Sequence, residues 1–423
     1  MRFHGIKTLA ALALMMIAGA AHAAPLPPLM AGAGKANIDP PAAMLPIHNN
    51  PGDPYLATIH DSLFARAVVV DGRGGRAIVA AADMIMMPDA VYDRIVARLA
   101  KAYGVAPDHI MLAATHCHTV PWTIDAAYEQ VISDGITAAV AEAVTREVPV
   151  SIGQGEGHAF INTNRDEKTA RGFILGQDPD GPSDKTVRVI GFFKADHTPV
   201  AILANYAVHA VTLHSAFTAG GDQGFVSADI PGVIDAFVDA HYGPETTTLW
   251  TSGAAADQNP ILMAYYAEPD AQGAATSSDL GTSGFEVTRR LGQDLALEII
   301  RVTDTVKPLA ASPTIDAAQT VIACPTKADP AVTKPLRIGH IGLGPIDIVS
   351  VSGEVGTVID QHLRQKTGRD PMLMTLTNGY GGYLPDDASY DRGDTFEVGK
   401  TFMARGCEPR IVAAAAKWLS GHR

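Results

Sequence analysis

Apolar positions along the chain switch between a continuous or alternating pattern and a period of about four residues. The run RAIVAAAD, residues 76 to 83, is almost wholly apolar and reads as a buried strand. Pro88 and Asp89 then open a helix in which Val91, Ile95, Leu99 and Tyr103 recur every four positions until Gly104 stops it. HIMLAATH, residues 109 to 116, is a second strand. The order strand, helix, strand implies a parallel pair joined by a right-handed crossover, so Asp83 and His116 lie at neighbouring carboxyl ends. That edge is where ligands bind in open α/β sheets.

The same grammar returns late in the chain. IDIVSVSGE (346 to 354) alternates as a strand, VGTVIDQHLRQKTG is a helix ended by Gly368, and PMLMTLTNG is a further strand, which puts Glu354 at another carboxyl end. Between these units, AILANYAVHAVTL (201 to 213) reads as a strand containing His209, and Val287, Leu291, Leu295 and Ile299 mark one face of a helix from about Phe285 to Val302. The stretches 216 to 224 and 265 to 284, rich in small and polar residues, read as loops. The predicted fold class is α/β: layered mixed sheets with βαβ units, helices packed on the faces, and an active site at the carboxyl ends of strands.

Composition narrows the setting. Arg2 and Lys7 precede an apolar run that closes on Ala21-His22-Ala23, the pattern of a signal peptide over residues 1–23, which leaves 24–423 as one catalytic domain and predicts a periplasmic or secreted protein. A membrane anchor is the alternative, but the run is shorter than the roughly 20 residues a spanning helix needs. Cleavage would remove two positive charges and take the formal net charge from −13 to −15, which argues against nucleic acid as a partner. Three cysteines allow one bridge: Cys324 with Cys407, leaving Cys117, or three reduced thiols.

AATHCHTV, residues 113 to 120, carries the first candidate chemistry. His116 and His118 are two apart, so an extended backbone sends both imidazoles to one face and the Cys117 thiol to the other. The pair is either packed and hydrogen-bonded or half of a metal site, since neutral imidazole is a common zinc donor. His209 in an apolar strand, Glu354 at a strand end and Tyr383 in a glycine-bracketed turn each have a plain structural reading as well: a satisfied core residue, a charge at a helix N-terminus, ordinary packing.

Together these segments resemble one family. ATHCHTVPW is similar to the ATHTHSGP motif of the neutral, non-lysosomal ceramidases, NYAVHAV to NWFAVHPT, SGEVGTV to PGEFTT, and NGYGGYLPDDASY to NxYxxYVTTxEEY, in the same order. Weaker matches (GAGKANIDPP, NTNRDE, VSADIPG) extend the likeness from about residue 31 to about 418. The resemblance implies Zn²⁺ held by His116, His209, Glu354 and Tyr383, with His118 as a proton carrier and Arg165 facing the active site as a catalytic and substrate-binding residue. Such a cation lowers the pKa of bound water toward about 7 and polarises a carbonyl, which suits hydrolysis of a lipid or small-molecule acyl amide or ester. Asp229 falls on the aspartate of the family's SGD; for Arg165 and Asp229 alike a buried salt bridge or a turn role is the alternative.

The likeness breaks in three places. The family serine of GDVSPN has no counterpart in SGAAADQNP, where Asn259 is a candidate substrate contact or simply a turn residue before Pro260. Downstream of Tyr383, Tyr390 is retained as a candidate substrate contact, but Phe396 stands about where the family has a second tyrosine. The chain also ends after a helix from Pro409 to Leu419, without the family's immunoglobulin-like domain. These departures leave an esterase, lactonase or short acyl-amide hydrolase, and a non-catalytic zinc-stabilised lipid-binding protein, as rivals to a ceramide amidohydrolase.

Overall fold

A computed structural model describes residues 28–50, 52–122, 126–214 and 217–420. The leader expected over 1–23 lies outside the described residues. Three larger sheets organise the chain, and each contains one parallel pair made by a βαβ unit. In the first, Gly75–Ala82 and Ile110–Ala114 pair in parallel around the helix Asp89–Tyr103. In the second, Pro199–Tyr206 and Thr247–Ser252 do so around the helix Asp229–Tyr242. In the third, Ile346–Val351 and Met372–Met374 do so around the helix Thr357–Thr367. The first and third units follow the sequence patterns; the second was not resolved by them.

Burial explains the layering. One face of the first sheet, carrying Ala65, Ala67, Ile78, Ala80 and Leu112, packs on the helices Asp89–Tyr103 and Ala126–Thr145. Its other face, carrying Val68, Val70, Val79 and Met111, packs on Ile190, Leu203 and Leu249 of the second sheet and on Ile341, Ile348 and Met374 of the third. Helices Asp229–Tyr242 and Ser283–Thr305 cover the outer face of the second sheet, and helices Thr357–Thr367 and Glu408–Leu419 that of the third. The second and third sheets adjoin where Thr375 N donates to Ser252 O at 2.9 Å and where Asn205, on the strand next to the edge of the second sheet, donates Nδ2–H to Leu373 O at 3.0 Å. The mixed α/β layers with helices on the faces are those expected.

Local signals account for the element ends. Gly104 and Gly368 close their helices in the left-handed conformation, at φ 63° and 62°, each returning its N–H to the preceding turn. The helix Asp89–Tyr103 buries Val91, Tyr92, Ile95, Val96 and Leu99, so truncating Leu99 to alanine costs about 2–5 kcal/mol.

Three expectations need correction. The strand read over 201–213 ends at Tyr206, so His209 lies three residues beyond it; apolarity continues because the following loop is buried, and hydropathy cannot separate the two. The stretch 265–284 contains an antiparallel hairpin, Tyr265–Pro269 with Ala275–Asp279, in a composition poor in strand formers, and the helix that follows starts at Ser283. The stretch 216–224 leads into a short strand, Gly224–Val226, paired in parallel with Leu56–Ile59. Cys324 and Cys407 are joined by a disulfide, and Cys117 is a free, buried thiol.

Candidate metal centre

One device recurs in the three βαβ pairs: a polar donor sits just past the end of one strand and is held by the segment past the end of its neighbour. His116, two residues beyond Ala114, adopts φ 67°, an uncommon left-handed setting that a histidine tolerates when its surroundings impose it. Here Met84 O accepts its N–H at 3.0 Å and Ile85 O accepts its Nδ1–H at 2.6 Å, both from the loop after Ala82. His209 is held the same way by the loop after Ser252: Gln258 O takes its N–H at 3.0 Å and Ala255 O its Nδ1–H at 2.6 Å. Glu354, beyond Val351, donates its N–H to Gly382 O at 3.0 Å and pairs in register with Tyr383. Gly353 permits this approach, since a Cβ there would lie 2.9 Å from Gly382 O.

The carbonyl partners fix the tautomers. A carbonyl only accepts, so Nδ1 of His116 and of His209 carries the proton and each Nε2 presents a lone pair. Those lone pairs face an oxygen that also only accepts: Glu354 Oε2 lies 3.3 Å from His116 Nε2 and 3.2 Å from His209 Nε2. His118 Nε2 is 3.3 Å from His116 Nε2, and the donor atoms of His116, His118 and His209 all lie within 4.8 Å of one another. The loops that carry them are tied together by the parallel bridge between Cys117 and Ala210. Ligands about 2.0–2.1 Å from a tetrahedral zinc ion stand about 3.3 Å apart, so this donor spacing fits a single divalent cation.

Electrostatics agree with that fit. Burial, then His116 and His209, holds the His118 imidazole well below its usual range, and burial, then Arg165, brings His209 down to about 4, so both are neutral near pH 7. Burial and then Glu354 raise the Tyr383 phenol well above its usual range; a bound cation acts in the opposite direction.

His118, His209 and Tyr383 line a cavity of about 310 Å³ together with Arg165 and Asn259, and its apolar lining includes Leu175, Val211, Met263, Tyr265 and Phe396. Arg165 is buried and donates Nε–H to Glu397 Oε1 at 2.8 Å, Nη1–H to Asn259 Oδ1 at 3.3 Å and to His209 Nε2 at 3.3 Å. Its guanidinium lies 4.9 Å from the Phe396 ring centre and 5.6 Å from that of Tyr383. Burial disfavours its charge, but Glu397 and then Tyr383 more than compensate, so the cation is retained.

The expected residues therefore divide. His116, His118, His209, Glu354, Tyr383, Arg165 and Asn259 come together at one place. Tyr390 does not line the cavity; its hydroxyl donates to Met403 O at 2.9 Å, because the short helix Ser389–Arg392 turns it toward the Thr401–Ala404 segment. Asp229 serves the scaffold: its carboxylate accepts Leu213 N–H at 3.0 Å and Thr212 N–H at 3.3 Å, pinning the loop after His209. Cys117 Sγ donates to Ala228 O at 2.9 Å, and burial pushes its thiol well up. Two residues were missed. Tyr380, whose hydroxyl donates to Glu354 Oε1 at 2.8 Å, lies in the same NGYGGY turn as Tyr383 and was within reach of the motif. Glu397 is 232 positions from Arg165 and has no local signature.

A mixed α/β domain with histidines and a carboxylate gathered past its parallel strand ends is the class of protein described so far. No protein-family model matches the chain. Among solved structures, it is similar to a neutral ceramidase from Pseudomonas aeruginosa with a TM-score of 0.71 and 17% identity, over 93% of this chain and 74% of that one. A structure described as ceramidase complexed with C2 is similar with a TM-score of 0.69 and 16% identity, again over 93% and 74%. The chain thus has the neutral ceramidase-like fold. Among the described residues no helix is long and apolar enough to cross a membrane.

Proposed function

We propose that this chain is a zinc-dependent hydrolase that cleaves the N-acyl bond of ceramide or a related lipid amide. The observation that carries the reading is the convergence of His116, His209 and Glu354 to spacings of 3.2 and 3.3 Å, with His209 also lining a largely apolar cavity. In this reading Tyr383 completes the ligand set. A divalent cation bound there would lower the pKa of bound water and polarise the scissile carbonyl.

The chain's own groups supply the rest. His118, neutral and on the cavity side of His116, takes a proton from the attacking water and returns it to the leaving amine. Arg165, held by Glu397, offers a fixed positive charge to the carbonyl oxygen, and Asn259 offers its amide to a substrate hydroxyl or carbonyl. Apolar walls exclude bulk water, which strengthens these interactions. We further propose that residues 24–423 form one catalytic domain released by loss of the leader, in the periplasm or outside the cell.

A second reading, a short acyl amide, ester or lactone as substrate, is favoured by the volume of about 310 Å³, at the small end for ligand pockets, and by Phe396 in place of a hydroxyl-bearing ring beside Arg165. Purified protein should contain about one zinc ion per chain, and turnover of a long-chain ceramide should exceed that of short acyl esters. Full activity in protein stripped of metal would overturn the metal reading; hydrolysis of short esters alone would select the second.

A further inference from the structure

The apolar surface of this protein is unevenly spread. Of the ten large apolar side chains exposed among the described residues, five come from segments around the cavity: Phe160, Leu175, Leu262, Tyr265 and Leu280, at 70, 36, 55, 39 and 38% exposure. Leu175 and Tyr265 line the cavity itself. Leu262 stands beside Met263, another lining residue, and Phe160 is brought next to it because Pro260 pairs with Asn162 and Ile261 N–H is accepted by Ile161 O at 2.8 Å. Leu280 is tied to the same place, donating its N–H to Ala264 O at 2.8 Å beside the paired Tyr265 and Asp279.

Charge selects the occupant. Residues 260–282 contain no lysine or arginine but include Glu268, Asp270 and Asp279; the other rim segment, 158–180, sets Lys168 and Arg171 against Asp166, Glu167, Asp178 and Asp180, with Arg165 held by Glu397, and the whole chain carries a formal charge of −13. An anionic surface is therefore repelled, while an uncharged or zwitterionic lipid surface meets apolar side chains without that penalty. We infer that this rim seats the protein on a zwitterionic lipid surface with the cavity mouth facing the bilayer, so that a lipid passes into the cavity without crossing water. The inference rests on the lipid-amide reading above only for the identity of the molecule that passes; docking itself is read separately.

The full chain is mixed with phosphatidylcholine vesicles and with vesicles containing phosphatidylglycerol, and its partitioning is measured by co-sedimentation. Wild type is expected on the zwitterionic vesicles, with weaker binding to the anionic ones. Phe160→Ser/Leu262→Ser, exposed positions outside the site, should weaken partitioning by about tenfold to a hundredfold, and Leu280→Ser should do so to a smaller degree. Melting profiles and hydrolysis of a soluble short-chain acyl amide should match wild type in both. Undiminished partitioning of the double variant, stronger binding to anionic vesicles, or a rim-dependent dimer in light scattering with no vesicle binding would each overturn the inference. Rim-dependent docking by a chain that hydrolyses no acyl amide would support it and sink the amidase reading instead.

Discussion

Tyr380 donates its hydroxyl to Glu354 Oε1 at 2.8 Å, while the other carboxylate oxygen of Glu354 faces His116 and His209 at 3.3 and 3.2 Å. One oxygen is thereby occupied by a neutral donor and the other left for the histidine side. Tyr380→Phe should free the carboxylate to rotate and weaken metal binding by about 10- to 100-fold, the usual effect of losing an outer-shell partner. Chelator competition on the purified variant measures it; unchanged affinity would show that the carboxylate is fixed by other means.

His118 separates two ligand sets, since one of its ring nitrogens lies within 4.8 Å of the donor atoms of both His116 and His209. As a proton carrier it should be removable with the metal retained, so His118→Ala is expected to keep zinc and lose about 10²- to 10⁴-fold in kcat. His209→Ala should lose both. Metal analysis beside single-turnover rates distinguishes the cases, and zinc loss from His118→Ala would make it a ligand.

Arg165 and Glu397 form a buried pair at 2.8 Å. Arg165→Met strands the carboxylate and should destabilise the fold by about 3–5 kcal/mol, whereas adding Glu397→Met should recover much of that loss because no uncompensated charge remains. Urea unfolding of the two variants gives the comparison.

Asp166 provides a pH signature. Burial, then the neighbouring Glu397 carboxylate, raises it from 3.8 to about 8, so the folded state binds its proton more tightly than the unfolded chain. Its contribution to stability is full below about pH 4 and is lost as pH rises through about 8, with a slope of at most about 1.4 kcal/mol per pH unit in that window. Asp166→Asn should flatten that decline. Unfolding free energies across the window check the sign.

The Cys324–Cys407 bond closes a sequence separation of 83 residues, so its loss should cost about 2–5 kcal/mol. Denatured, unreduced protein should titrate one thiol per chain, that of Cys117. Three would show the bridge absent from the isolated protein.

What the sequence by itself determined is what short-range pattern can express. Period-four apolar spacing and the closing glycines at 104 and 368 marked two βαβ units, because side-chain direction within an element follows from local backbone geometry. The His116–His118 spacing set both imidazoles on one face for the same reason, and the motif order drew His209, Glu354 and Tyr383 into one hypothesis. Only the tertiary structure decided that His209 stands in a buried loop rather than a strand, that the polar stretch after 265 is a hairpin, that Tyr390 turns away, and that Tyr380 and Glu397 steady the centre. Those facts depend on hydrogen bonds and ion pairs between segments up to 232 positions apart, and such pairings leave no period in the chain from which they could be read.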